Sequence, residues 1–123
     1  DLFESSSEGN RVFRNNGDGT FDEMSQETGL ADDTNIIVLD AAFGDFDDDG
    51  DIDLITINEN GTNLLYINNR QGKFEVFKDS GLGSETGSSS IAVGDYNNDG
   101  LNDIFVTNGI YKRPNDLDYI NIQ

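Results

Sequence analysis

An aspartate-rich stretch of nine residues occurs twice at a fixed spacing, and that repetition limits what this chain can fold into. Residues 45–53 read DFDDDGDID and residues 95–103 read DYNNDGLND, each fitting D-x-[DN]-x-D-G-x-x-D. The likeness extends outward. Residues 41–58 (AAFGDFDDDGDIDLITIN) and 91–108 (IAVGDYNNDGLNDIFVTN) align at an offset of 50. Gly44 falls on Gly94, Asp45 on Asp95, Gly50 on Gly100, Asp53 on Asp103 and Asn58 on Asn108. A second element alternates with the first: NRVFRNNGDGTF at 10–21 and NLLYINNRQGKF at 63–74, offset by 53. Gly29-Leu30 then matches Gly81-Leu82.

A period of ~50 residues is that of a β-propeller blade or a related array. The local signals are strand signals. Ile52, Leu54, Ile55 and Ile57 form a nearly continuous β-branched run, as do Ile104, Phe105 and Val106, and Leu64 to Ile67. Such runs are expected to be buried on both faces. Phe74 and Val76 alternate with polar neighbours, as nearer a sheet edge. Gly17-Asp18-Gly19 and Arg70-Gln71-Gly72 read as hairpin loops. No pattern supports a helix longer than a turn or two; residues 22–33 have only loose helical spacing.

The expectation is therefore all-β: four-stranded antiparallel blades, in about two repeat units. The reading divides the chain into an N-terminal extension (1–9), an outer half-blade (10–30) and a complete blade (36–82) with strands near 36–45, 52–58, 63–69 and 73–78. A flexible connector (83–90), an inner half-blade (91–108) and a C-terminal tail (109–123) follow. Half-blades leave unpaired strand edges, which folded proteins normally hide. Further blades of the same polypeptide, or other copies of the chain, are expected to pair with them.

Charge narrows the function. Among 123 residues, 25 acids face 7 Lys and Arg, a formal charge of −18. Nucleic acid is excluded as a partner because phosphate binding needs a basic patch. No apolar run approaches the ~20 residues that a membrane helix needs, so no membrane insertion is expected. The absence of His and Cys removes zinc, haem, iron–sulfur and thiol chemistry, and any Ser-His-Asp triad.

The acidic loops carry the chemistry. Oxygens at alternating positions 1, 3 and 5 point into one concavity as such a loop curls. Gly at position 6 permits the turn, position 7 offers a carbonyl, and Asp at position 9 closes the cage. The first ligand set is Asp45, Asp47, Asp49, the Asp51 carbonyl and Asp53. The second is Asp95, Asn97, Asp99, the Leu101 carbonyl and Asp103. Oxygen-only sets suit a hard cation, Ca²⁺ first, at two sites. Mere acidic surface turns are the bland alternative. Six carboxylates within residues 45–53 repel one another, which makes that alternative costly. Ligand charge ranks the 45–53 loop the tighter site, since Asn97 is neutral. An EF-hand or dockerin loop needs an acid at position 12, where Thr56 and Val106 stand inside apolar runs. Cys-laced thrombospondin-type repeats are excluded by the lack of Cys.

G-D-F-D-D-D-G-D-I-D-L and G-D-Y-N-N-D-G-L-N-D-I, each followed by Asn, resemble the FG-GAP/VCBS repeat of integrin-α-like β-propellers. Phe43-Gly44 stands where that family has Phe-Gly. The pattern N-x-x-[FY]-x-N-N-x-x-G-x-F at 10–21 and 63–74 is similar to the outer-strand half of the bacterial version. The tail T-N-G-I-Y-K-R-P-N-D-L-D-Y-I (107–120) resembles a stretch of secreted or lipid-anchored Bacteroidetes FG-GAP proteins with ASPIC/UnbV segments. The resemblance implies a Ca²⁺-dependent propeller, extracellular, used for adhesion or for binding glycan or protein.

The leading expectation is a structural, adhesive binding module of a secreted or cell-surface protein, not an enzyme. A self-assembling subunit of an extracellular filament or ring is the first alternative. An accessory part of a polysaccharide-active enzyme or lectin is the second. Gly17-Asp18-Gly19 as a third ion loop is weighed against a plain hairpin turn, which is favoured. Tyr111 and Tyr119 read as packing aromatics, Lys112-Arg113 as surface, residues 117–122 as strand-like, and Asn60-Gly61-Thr62 as an accessible glycosylation sequon.

Overall fold

The computed structural model describes residues 1–6, 8–30, 37–59, 62–82 and 87–109. Among these residues, apolar runs separated by Gly- and Asx-rich turns form nine strands and one single-turn helix. β1 (Leu2–Ser6), β2 (Gly9–Asn15) and β3 (Phe21–Glu23) make a three-stranded sheet, and α1 (Ser25–Thr28) follows it. β4 (Val38–Gly44), β5 (Asp53–Asn58), β6 (Leu64–Asn68) and β7 (Phe74–Val76) make a four-stranded sheet in chain order. β8 (Ser88–Gly94) and β9 (Asp103–Asn108) make a two-stranded sheet. Every pairing is antiparallel. The architecture is all-β and built of blade-like units, with the middle sheet one whole four-stranded blade.

Two segments behave differently from their sequence reading. Residues 2–6, set apart as an extension, form β1 and pair with β2 from Leu2↔Phe13 to Ser6↔Gly9. Leu2 faces Phe13 as Leu54 faces Tyr66 in the middle blade. The segment LFESS has only two apolar residues, too few to show a period. Ser88 to Ser90, placed in the connector, open β8. Their serines lack strand propensity, and pairing with β9 decides the outcome. Register shifts between Ser88 and Ser90 as it does between Val38 and Asp40, so the same bulge recurs 50 residues on.

The core lies on β5. Leu54, Ile55 and Ile57 are 0% exposed, because sheets cover both faces of that strand. Leu54 clusters with Val12 and Leu30, against which Phe3, Ala41, Tyr66 and Phe74 pack. Each fully buried Leu or Ile contributes roughly 1.5–3 kcal/mol by leaving water. The matching run on β9 is not buried on both faces. Phe105 is 67% exposed, because β8 lies against β4 and β5 and leaves the far face of its sheet open. Ile52 also departs from expectation: at 51% exposed it belongs to the loop before β5.

Asp40 joins the second and third sheets. Its Oδ2 accepts the Ser90 hydroxyl at 2.7 Å and the Ile91 N–H at 2.8 Å, while Oδ1 accepts the Ala41 N–H at 2.9 Å. Lost hydration would raise this carboxyl, but the three donors together hold it below the ordinary carboxylate range. Gly44 ends β4 where a Cβ would meet the Phe46 ring at 2.8 Å, so glycine there lets the Phe46 ring pack closely at the mouth of the acidic loop.

Truncation should therefore hurt unequally at aligned positions. Ile55→Ala is expected to cost about 2–5 kcal/mol and Phe105→Ala less than about 1 kcal/mol, measured by urea unfolding. Equal losses would contradict the one-sided burial of the third sheet.

Candidate metal centre

The two acidic loops join β4 to β5 and β8 to β9, and each is shaped by its own aspartates. Asp45 accepts the Asp49 N–H at 3.2 Å and the Gly50 N–H at 3.0 Å. Asp95 accepts the Asp99 N–H at 3.1 Å and the Gly100 N–H at 2.9 Å. Asp49 accepts the Asp51 N–H at 2.9 Å, and Asp99 the Leu101 N–H at 2.9 Å. Backbone angles repeat as well: φ is 59° at both Asp48 and Asn98, 89° at Gly50 and 91° at Gly100. Position 6 thus needs left-handed φ, which glycine adopts without strain.

Asp45, Asp47 and Asp49 bring one oxygen each within 4.8 Å of one another. Among the described residues this is the one such acidic trio. The spacing suits a single cation with oxygen bonds of ~2.3–2.6 Å, and the donor set is hard oxygen throughout. The residues present therefore fit a metal ion. In the second loop Asn97 replaces an acid: its Oδ1 accepts the Asp99 N–H and its amide donates to Asp99 Oδ2, both at 2.9 Å.

Asp53 stands apart from the trio. It is 0% exposed, and its Oδ2 accepts the Phe46 N–H at 2.8 Å while Oδ1 accepts the Asn68 N–H at 2.9 Å. It ties the start of the loop to β6. Asp103 accepts the Tyr96 N–H at 2.8 Å in the same way. The Asp51 carboxylate turns to Arg70, 3.3 Å away, and its carbonyl, like that of Leu101, was the expected ligand group.

The loop's charges act on one another. Lost hydration, then the charges of Asp49, Asp53 and Asp45, push the Asp47 carboxyl above its ordinary range. At Asp49 the N–H of Asp51, aided by Arg70, outweighs lost hydration and holds the carboxyl low.

Three participants fall outside the expected ligand sets. Arg70 places Nε 3.2 Å from Asp49 Oδ2 and donates to the Asp49 carbonyl at 2.7 Å. Asn102 donates its amide to the Asp45 carbonyl at 3.0 Å, linking one loop to the other. Asp1 Oδ1 accepts the Asn15 N–H at 2.9 Å, as Asp53 does for Asn68. The repeat held a signal for Arg70, since Asn68-Asn69-Arg70 stands where Asn15-Asn16-Gly17 does. The Gly17-Asp18-Gly19 turn is occupied by its own hydrogen bonds. Asp18 accepts the Thr20 hydroxyl at 2.6 Å and its N–H at 2.9 Å, which hold its carboxyl low.

Residues 1–56 and 45–106 each match the FG-GAP-like repeat. The chain belongs to the FG-GAP-like repeat family. It is also 32% identical over 108 residues to cartilage acidic protein 1 of Xenopus tropicalis, covering 85% of this chain and 16% of that protein. Against cartilage acidic protein 1 of Homo sapiens the identity is 30% over 106 residues, covering 84% of this chain and 16% of that one. The chain thus spans about a sixth of the length of these relatives, judged from the 16% coverage. Tyr111, Lys112, Arg113, Tyr119 and residues 117–122 lie outside the described residues, as do Asn60 and Gly61 of the sequon.

The Asp53 clamp should dominate the loop's stability. In chelator, Asp53→Ala is expected to lose about 2–4 kcal/mol, since two backbone donors lose their acceptor. Asp103→Ala, at a more exposed position, should lose less by urea unfolding. The reverse order would contradict the clamp.

Proposed function

We propose that this chain is a calcium-binding β-propeller-type repeat module of a secreted or cell-surface protein, with a structural and adhesive role. The carrying observation is the all-oxygen trio Asp45, Asp47 and Asp49, set on a loop scaffold that recurs bond for bond 50 residues later. Asp45, Asp47, Asp49, the Asp51 carbonyl and Asp53 would hold the first ion. Asp95, Asn97, Asp99, the Leu101 carbonyl and Asp103 would hold the second. Asp53 accepts a backbone hydrogen bond on each oxygen and Asp103 on Oδ2, and both still keep lone pairs for a cation. A bound Ca²⁺ supplies charge neutralisation, which lets the loop stay curled and stiffens the hairpin it closes.

Family membership supports this reading, since repetition of a loop favours scaffolding over a single reactive centre. The chain has no His or Cys, and its clustered aspartates are committed to loop hydrogen bonds, which supports a non-enzymatic role. The relatives' name, cartilage acidic protein 1, supports an extracellular setting, where weak sites of ~10⁻⁴–10⁻³ M suffice. Protein or glycan are the partners in view.

A second reading, contact with further blades or other copies, is favoured by apolar surface. Phe105 is 67% exposed. A cleft of about 360 Å³ lies over Phe46, Leu65, Ile67, Val76 and Phe77.

Ca²⁺ at about 10 mM, a hundredfold excess over a Kd of ~10⁻⁴ M, should stabilise by roughly 2.7 kcal/mol and raise the melting temperature over EDTA by several degrees. Mg²⁺ should restore it poorly. Identical melting curves would overturn the calcium reading. Light scattering in calcium should find a multimer; a compact monomer would overturn the second reading.

A further inference from the structure

We infer that Arg70 is a built-in counter-cation of the 45–53 loop, so that loading this site exchanges a guanidinium for a divalent ion. The inference rests on the calcium reading above and concerns how that site is regulated. Arg70 lies on the hairpin loop between β6 and β7, yet its Nε sits 3.2 Å from Asp49 Oδ2 and 3.3 Å from Asp51 Oδ2. Asp49 belongs to the trio that would hold the ion. The guanidinium also grips the Asp49 carbonyl at 2.7 Å. One cation therefore touches a ligand residue through both its side chain and its backbone.

The backbone at Arg70 supports a purpose. Its φ is 65°, a left-handed conformation that disfavours residues with a Cβ. The aligned residue of the first hairpin is Gly17, with φ 79°, so an unstrained residue is available at this position. Strain kept at one copy of a repeat points to a local task.

That task is charge. The 45–53 loop carries six carboxylates against three in 95–103. Among the described residues no ion pair reaches the second loop, and both ion pairs to the first come from Arg70. Asn97 relieves the second loop by being neutral, whereas Arg70 relieves the first by adding a positive charge. The consequence differs. Asn97 never competes with an incoming ion, but Arg70 must leave Asp49 or repel the ion from beside it. Arg70 thereby lowers the calcium affinity that the loop's charge would otherwise give, and moves the two sites closer together in affinity.

The test is calorimetry of CaCl₂ binding to the full chain at low ionic strength. Asp95→Asn and Asp99→Asn are present throughout to silence the second loop. Arg70→Gly suits the positive φ and should tighten binding roughly three- to tenfold. Arg70→Lys, which keeps the charge but not the fork, should change it less. Salt of about 0.5 M should shrink the gap. Binding by Arg70→Gly equal to or weaker than that with Arg70 intact would overturn the inference, with the calcium reading left standing. No calcium binding with either residue at position 70 would overturn both the inference and the calcium reading of the 45–53 loop, so the two failures are told apart.

Discussion

One buried carboxylate organises the blade. Asp53 spends its two oxygens on backbone donors from two places, Phe46 at the start of the acidic loop and Asn68 at the end of β6. An asparagine there would aim its NH₂ at one of the two donors, because only one of its terminal atoms accepts. The clamp fixes where the loop begins, where β5 enters the core and how β6 lies beside it. Asp103 reaches Tyr96 in the third sheet and Asp1 reaches Asn15 in the first, so the device is a property of the repeat.

With its ninth position fixed beneath it, the loop has little choice of shape. Asp45 gathers the N–H groups of Asp49 and Gly50, and Asp47 and Asp49 are drawn in beside it. Like charges held this close destabilise the fold unless something positive stands near. Arg70 offers one such charge and a calcium ion a better one. Asn102, reaching from one loop to the carbonyl of Asp45, places the two loops in direct contact. Asp40 and its partners Ser90 and Ile91 do the same for the strands below. Blade order and acidic loops are thus held by neighbouring polar joints, while Leu54, Ile55 and Ile57 supply the apolar interior.

Much of this was legible in the residues. The loop spacing, the alternation of two elements and the apolar runs at 54–57 and 64–67 describe the middle blade closely, because local pattern and burial agree there. Expectation and structure part where context decides. β1 becomes a strand because Gly9 to Phe13 offers an edge, although its serines and glutamate carry no pattern. Phe105 repeats the apolar character of β5 without its burial, because burial depends on a neighbouring sheet and not on the strand's own residues. Arg70 was visible only as an exception to an asparagine-glycine turn. Nothing in its sequence neighbourhood tells that its side chain crosses to a loop 21 residues earlier.

Hydrogen–deuterium exchange of the full chain, in calcium and in chelator, tests the central claim most directly. If the loops are cation-held hinges, calcium should slow exchange at 45–51 and 95–101. The Asn16–Thr20 turn, whose Asp18 is satisfied by Thr20, should stay unchanged. Equal exchange in both conditions at the two loops, or slowing that includes the Asp18 turn to the same degree, would contradict the account.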